Sequence, residues 1–244
     1  MAMEQFDTVL IGSGYSSIGY AVGNKKTLIV EEQEIADTHF YLPLRSFRYT
    51  PYTPKTKEGA ALDATFRSLG LFEGDKQNTN GFEPALCRYL DKNPVSLLLK
   101  ARVALIEKTD DGQILTVSTN EGLLRISAKQ VYDTRGTGKK SLTVLITAEN
   151  PADAASAAEA LGWELEEGFY PDWYALHIPD EGLDENRVKL AVHKALSAHT
   201  GIRILAFAPV YAKKGTAVLL CDDSYDNPIA AFEAGYLLGK EQAR

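Results

Sequence analysis

In the stretch "VLIGSGYSSIGY", Gly12 and Gly14 stand two residues apart, with Ser16 and Ser17 at the head of what reads as a helix. This is the spacing of a G-x-G-x-x-G turn with Ser17 at its third position. In such a turn the first glycine lets the chain double back, and the second admits a pyrophosphate against the backbone. The helix behind them offers N–H groups and the positive end of its dipole. Glu31 lies nineteen residues after Gly12, at the end of "TLIVEE", with Glu32 beside it. A carboxylate there accepts hydrogen bonds from an adenosine ribose and favours a free 2′-hydroxyl over a 2′-phosphate, which argues against NADP. The same residues also make a tight strand-to-helix connection with no ligand at all, so context has to choose.

Stepping out along the chain, "FDTVLI" reads as a strand buried on both faces, followed by a helix over about 15–23 and a second buried strand, "KTLIVEE". This βαβ unit is the context that gives a glycine turn its dinucleotide meaning. Residues 33–80 form a long excursion rich in aromatics, prolines and basic residues, with a weak helix near "GAALDATFRSLGLF". "EPALCRYLDKN" is an amphipathic helix with Leu86, Tyr89 and Leu90 on one face and Cys87 in its core, and "PVSLLLKARVALIEKT" is one strand. Two alternating strands around a "NEG" turn complete a β-meander that ends in "VYDTRGTG". Residues 141–200 alternate strand, alanine-rich helix, strand and helix. "RILAFAPVYA" and "TAVLLCDD" are further strands, and Asn227 with Pro228 opens a closing helix.

The chain has 244 residues, enough for a sizeable core. Its formal net charge of -7 makes nucleic acid a poor partner. Two distant cysteines, Cys87 and Cys221, give neither a disulfide framework nor a zinc knuckle, which suits a cytoplasmic location. The start "MAMEQFDTVLIG" has no basic flank before its short apolar run, so neither a signal peptide nor a membrane span is expected. The acid clusters "EEQE" and "ELEE" have no paired histidines, so no metal is expected, and they read as solvated faces.

Two later stretches extend the first. "ISAKQVYDTRGTG" is an apolar strand ending in an aspartate, small residues and a glycine, and "GTAVLLCDDSYDNPIAAFEAGYLLG" is a strand ending in an aspartate and followed by a helix. With "FDTVLIGSGYSSIGYAVGNKKTLIVEE", these resemble the three motifs of the glutathione-reductase-type FAD-binding superfamily, in the family's order. Within it the chain is similar to simple FAD-dependent oxidoreductases, and the "DTRG" spelling is similar to that of lycopene cyclases. The similarity covers residues 6–32, 81–138 and 215–240, about half the chain.

The resemblance implies an α/β, Rossmann-like, FAD/NAD(P)-binding three-layer fold. Residues 1–140 and 203–244 would form the FAD-binding domain, and 141–202 a small α+β cap or substrate lobe. It implies FAD as cofactor, with Gly12, Gly14, Ser17 and Glu31 on the ADP half and Ser16, Glu32 and Pro228 among the contacts. Val103 would meet the adenine, Gly136 the pyrophosphate side, Asp222 the ribityl chain, and Arg45, with Arg48, the phosphates. Ser17 replaces the family's third glycine, and its hydroxyl would be free to donate to a phosphate. The first helix is also about one turn short, and Cys221 precedes the aspartate in place of a glycine.

The flavin carries the redox chemistry in such enzymes, so a proton-transfer group is hard to read from sequence. His39, Tyr41 and Tyr49 in the aromatic loop are candidates to face the flavin, and His177 is a candidate beneath the cap. Packing or structural roles are the alternative for each. Trp163, Phe169, Tyr170 and Trp173 make either an aromatic wall for a planar substrate or ordinary core. The expected activity is hydride transfer between flavin and a small organic substrate. The alternative is a non-catalytic or accessory FAD- or nucleotide-binding subunit that serves a partner protein. A redox partner or a homo-oligomer fits either.

Overall fold

The computed structural model describes residues 4–36, 47–135, 140–179, 185–211 and 225–243. The chain opens with β1 (Glu4–Ile11), α1 (Tyr15–Gly23) and β2 (Thr27–Val30). β1 and β2 are parallel neighbours, with Thr8 opposite Thr27 and Ile11 opposite Val30. Val9, Leu10, Leu28, Ile29 and Val30 are all buried, which is why both strands read as unbroken apolar runs.

α2 (Lys57–Ser68) and a small hairpin, β3 (Phe72–Glu73) with β4 (Lys76–Gln77), lead to α3 (Phe82–Leu90). α3 buries Phe82, Ala85, Leu86 and Tyr89 as its periodicity predicts. Cys87 lies instead on its exposed side, where the thiol donates to Glu83 Oε1 at 3.2 Å. Partial burial, together with Glu83, pushes this thiol up to about 11, so it is not a thiolate at neutral pH.

The stretch expected as one strand is two, β5 (Ser96–Leu98) and β6 (Arg102–Thr109). β5 pairs parallel with β2, whereas β6 pairs antiparallel with β7 (Gly112–Thr119), so the chain must turn between them. It does so at Lys100, which takes φ 51, while Ala101 N–H donates to Glu31 O. β8 (Gly122–Asp133) joins both systems, antiparallel to β7 and parallel to β1. The sheet order is β5-β2-β1-β8-β7-β6.

A second, antiparallel sheet follows, made of β9 (Lys140–Ala148), β10 (Glu164–Glu167), β11 (Trp173–Pro179) and β12 (Ile202–Tyr211) in the order β10-β11-β9-β12. α4 (Pro151–Leu161) and α5 (Glu185–Leu196) cover one face, over Val144, Ile146, Leu176 and Ile178. On the other face Leu145 and Ala175 meet Phe47. Two expectations change here. "ELEE" is an edge strand: Leu165 packs on the helix side, and Glu166 stands on the opposite face. β12, expected to return the chain to the first domain at residue 203, pairs along β9 from Ile202 opposite Ala148 to Tyr211 opposite Lys140. The expected strand "TAVLLCDD" lies outside the described residues.

α6 (Pro228–Gln242) closes the described chain, and Asn227 caps it as expected, accepting from Ile229 N–H at 2.8 Å. It lies against α1 with backbone touching backbone. A Cβ built on Gly19 would run into the Phe232 carbonyl, and one on Gly235 into that of Ser16. Gly23 and Gly239 face Tyr236 and Tyr20 in the same way. Pairs of glycines four residues apart, "GYAVG" on α1 and "GYLLG" on α6, thus make one seam of close approach.

α6 also anchors the segment before α2. Buried Glu233 accepts hydrogen bonds from Tyr52 OH (2.6 Å), Lys55 N–H (2.7 Å), Thr56 N–H and Thr56 Oγ1 (2.6 Å), and Thr56 itself caps α2. Burial raises the Glu233 pKa, but the hydrogen bonds from Thr56, Tyr52 and Lys55 outweigh it and hold the carboxyl below its ordinary value. The Tyr52 hydroxyl, partly buried and bonded to that carboxylate, is pushed up to about 12.

Gly235→Ala is expected to cost about 3 kcal/mol or to prevent folding, because two backbones would have to part. Gly201→Ala, where the new Cβ would sit 3.6 Å from Asp153 Oδ2, is expected to stay within about 0.5 kcal/mol of wild type. Urea midpoints of the two variants check this.

Glu233→Gln is expected to lose about 2 kcal/mol at neutral pH. With its folded pKa depressed, the carboxylate's contribution is fully present above about pH 4.3, the ordinary glutamate value. It fades as pH falls through the folded value. Denaturant stability against pH should therefore fall on the acid side in wild type more than in the variant.

Candidate cofactor site

At the carboxyl end of β1 the chain turns through Gly12, whose φ of +111 is open to few residues other than glycine. Gly12 N–H donates to Val30 O at 2.9 Å, tying the turn to β2. Gly14 stands at the N-cap of α1, and Ile18 N–H donates to its carbonyl at 3.0 Å.

Glu31 is buried beside this turn. Its Oε2 accepts from Ser13 N–H (2.9 Å) and Ser13 Oγ (2.8 Å), and its Oε1 accepts from Gln33 N–H (2.9 Å). A carboxylate has about four acceptor sites, and three are filled by its own chain. The group is thereby fixed at the sheet's carboxyl end with capacity for a further donor. This carboxylate acceptor fits the donating hydroxyls of an adenosine ribose, the part of FAD expected at this position. Glu32 is paired, with Arg135 Nη1 at 2.7 Å and Arg102 Nε at 3.9 Å.

Thr134, at the end of β8, pins the turn from the other side. Its N–H donates to Ile11 O at 2.9 Å, and its hydroxyl lies 3.0 Å from Ile11 O and 3.1 Å from Gly12 O. Ser17 Oγ donates to Thr134 Oγ1 at 3.1 Å. The serine in the third glycine position therefore serves the strand–helix junction, and its hydroxyl, expected to be free for a phosphate, donates to Thr134 in this structure. Ser16 is buried with its backbone against Gly235. The first glycine is just as confined, since a Cβ on Gly12 would lie 2.7 Å from Thr134 Oγ1.

Val103 lies at the start of β6, next to a bulge, and borders a cavity of about 260 Å³ shared with Ile11, Val131, Asp133 and Arg135. The fold thus brings Gly12, Gly14, Ser17, Glu31, Glu32 and Val103 to one end of the sheet. Pro228 is buried in the first turn of α6, beside Asn227, whose side-chain N–H donates to Thr50 O. Arg45, Gly136, Asp222, His39, Tyr41 and Cys221 lie outside the described residues.

The remaining candidates are engaged elsewhere. Tyr49 is buried against Phe72, with ring centroids 4.7 Å apart, and its hydroxyl donates to Gly74 O at 3.4 Å. Burial raises its pKa, and its ring sits in the core beside α2. Arg48 pairs with Glu167 at 3.9 Å and Asp75 at 4.0 Å. His177 stands on the face of the second sheet turned away from α4 and α5, with Nε2 2.9 Å from Glu166 Oε2 and Nδ1 3.3 Å from Thr143 Oγ1.

Of the four aromatics, Phe169, Tyr170 and Trp173 contact one another at 5.3 and 4.9 Å. Trp163 packs on the opposite, helix-covered side. Among the described residues no group of three His, Cys, Asp or Glu could hold a metal ion, and no helix is long and apolar enough to cross a membrane.

Sequence reasoning missed Ser13, Thr134 and Arg135. Ser13 lay inside the recognised turn, and Thr134 and Arg135 lay inside the quoted "DTRG" stretch, which assigned neither of them a role.

Solved structures share this fold. The p-nitrophenol 4-monooxygenase PnpA from Pseudomonas putida matches 99% of this chain and 79% of its own at 14% identity, with a TM-score of 0.60. The OxyS anhydrotetracycline hydroxylase from Streptomyces rimosus matches 98% of this chain at 14% identity with a TM-score of 0.65. Aklavinone-11 hydroxylase, solved with FAD and aklavinone, matches 100% at 13% identity with a TM-score of 0.53. This chain spans 63% of the length of each of these two hydroxylases. No protein-family model and no curated protein sequence matches it. At such identities the likeness establishes the fold, a mixed α/β Rossmann-like architecture of the kind that holds FAD in aklavinone-11 hydroxylase.

Thr134→Val removes the hydroxyl shared by Ile11 O, Gly12 O and Ser17 while keeping the side chain's shape. It is expected to lower stability by about 1–3 kcal/mol. It should also raise hydrogen exchange at the Gly12–Ser17 amides above that of the second sheet.

Proposed function

We propose that this chain is an FAD-dependent oxidoreductase that exchanges a hydride between flavin and a small organic substrate. The observation that carries the reading is Glu31, held between Ser13 and Gln33 at the end of β2 beside a glycine turn that starts a helix. Glu31 would accept from the adenosine ribose, and the N-terminus of α1 would face the pyrophosphate. When bound, FAD supplies the electron transfer, and the protein orients the substrate and excludes water.

In this reading the second sheet and its two helices are the substrate lobe, with its boundary carried to Tyr211 by β12. Phe169, Tyr170 and Trp173 form the wall for a planar substrate. The resemblance to the glutathione-reductase-type superfamily, its lycopene-cyclase-like "DTRG" included, belongs to the same proposal. The monooxygenase and hydroxylase neighbours favour a variant in which a reduced nicotinamide would give the hydride to the flavin, and dioxygen would supply one oxygen atom to an aromatic substrate and the other to water.

The second reading is an accessory FAD-binding subunit that serves a partner. It is favoured by the engagement of the proton-transfer candidates Tyr49 and His177 in structural bonds.

Purified protein is expected to be yellow, with flavin bands released as FAD on heating. Colourless protein that takes up no added FAD would overturn both readings. Anaerobic bleaching by one member of a panel of nitrophenols, polycyclic phenols and reduced nicotinamides would mark an enzyme, and none would mark the accessory subunit. Gly14→Val is expected to abolish flavin retention, because a side chain there takes the space of the pyrophosphate.

A further inference from the structure

We propose that Arg135 is a stacking lid over the adenine of a bound adenosine diphosphate half, a specificity residue that no motif of the turn assigns. This rests on reading the turn as a dinucleotide site. Arg135 follows Thr134, and a Cβ on Gly12 would lie 3.1 Å from its Cγ, so the side chain starts across the end of β1. Its Nε and Nη2 donate to the two oxygens of Asp133 at 3.0 and 2.9 Å, and Nη1 donates to Glu32 Oε1 at 2.7 Å. The guanidinium is thus held by its edge, between the ends of β8 and β2.

Two consequences follow from guanidinium geometry. Recognition of a phosphate uses in-plane N–H donors, and carboxylates already hold one on each nitrogen of this group. The weakly hydrated faces of the plane are what such a group offers a ligand, and they suit a flat π-system. Arg135 also borders the cavity of about 260 Å³, whose other walls include Ile11, Val103, Ala104 and Val131. That volume is below the roughly 300 Å³ at which pockets for whole ligands begin, and with Gln113 and Asp133 beside the apolar side chains it suits a single ring system that has a polar edge. Glu31, the ribose acceptor, immediately precedes Glu32, which fixes the guanidinium. A base carried on that ribose therefore has Arg135 within its reach.

The test is calorimetric titration of FAD, ADP, NAD and FMN into wild type, Arg135→Ala and Arg135→Lys, with thermal unfolding as the folding control. Both variants are expected to weaken FAD and ADP about tenfold and to leave FMN unchanged, because lysine keeps the charge but not the plane. Unchanged FAD and ADP affinity, equal weakening of FMN, or full rescue by lysine would each overturn the lid.

Wild type that binds ADP or NAD but not FAD would overturn the proposed function while leaving the lid to be decided on ADP. Wild type that binds none of the adenine nucleotides would overturn both. If the arginine variants unfold, Val103→Trp fills the cavity from its other wall. It should then block ADP and FAD but not FMN, and retained ADP affinity would overturn the subsite.

Discussion

The backbones of α1 and α6 meet where Gly19, Gly23, Gly235 and Gly239 leave out four Cβ atoms, and the rest of the glycine-turn region depends on that contact. α1 has nine residues, shorter than the roughly 12–15 at which a helix is even marginal by itself. Its direction, and so the direction of its N-terminus, is set by what it lies on. Close approach of two backbones supplies dispersion over many atoms and excludes alternative registers, since a shift of one residue would drive side chains into carbonyls. α6 passes the constraint on. Glu233 holds the segment from Tyr52 to Thr56, Asp226 accepts from Thr50 N–H and Oγ1, and Phe47 carries the same segment to the second sheet.

Local chemistry explains what could be seen in the amino-acid sequence. The strands β1 and β2, the turn at Gly12, the carboxylate at Glu31 and the Asn227–Pro228 cap depend on neighbours within a few residues or on one repeated spacing, and each stands where it was expected. Other features depend on partners far along the chain. Nothing near Thr134 says that its hydroxyl will meet Ile11 and Gly12, and nothing near Ser17 says that Thr134 will receive its hydrogen bond. Lys100 breaks an apolar run because β5 and β6 belong to systems of opposite direction, which is a fact of topology. The spacings in "GYAVG" and "GYLLG" gain meaning only from each other, so neither pointed to a seam by itself.

The second sheet shows the same division. Its helix-covered face, with Val144, Ile146, Leu176 and Ile178, follows from period-two alternation. The opposite face is a mixture of Thr143, Leu145, Ala175 and His177, and its polar members satisfy one another. His177 read as a candidate because it alternates with Tyr174 and Leu176. Its place between Glu166 and Thr143 came from the edge strand β10, whose acidic spelling concealed a strand.

The glycine seam also sets an order in time. The helix that α1 must lie against comes more than two hundred residues after it, so this contact is strongly non-local. During synthesis the turn can form first, the Thr134 pin second and the α6 seam last. Until then a groove of bare backbone stands without its partner, open to chaperones or to a wrong helix. The turn at Gly12 is therefore braced only once α6 has been made, and its final geometry waits on the same four glycines.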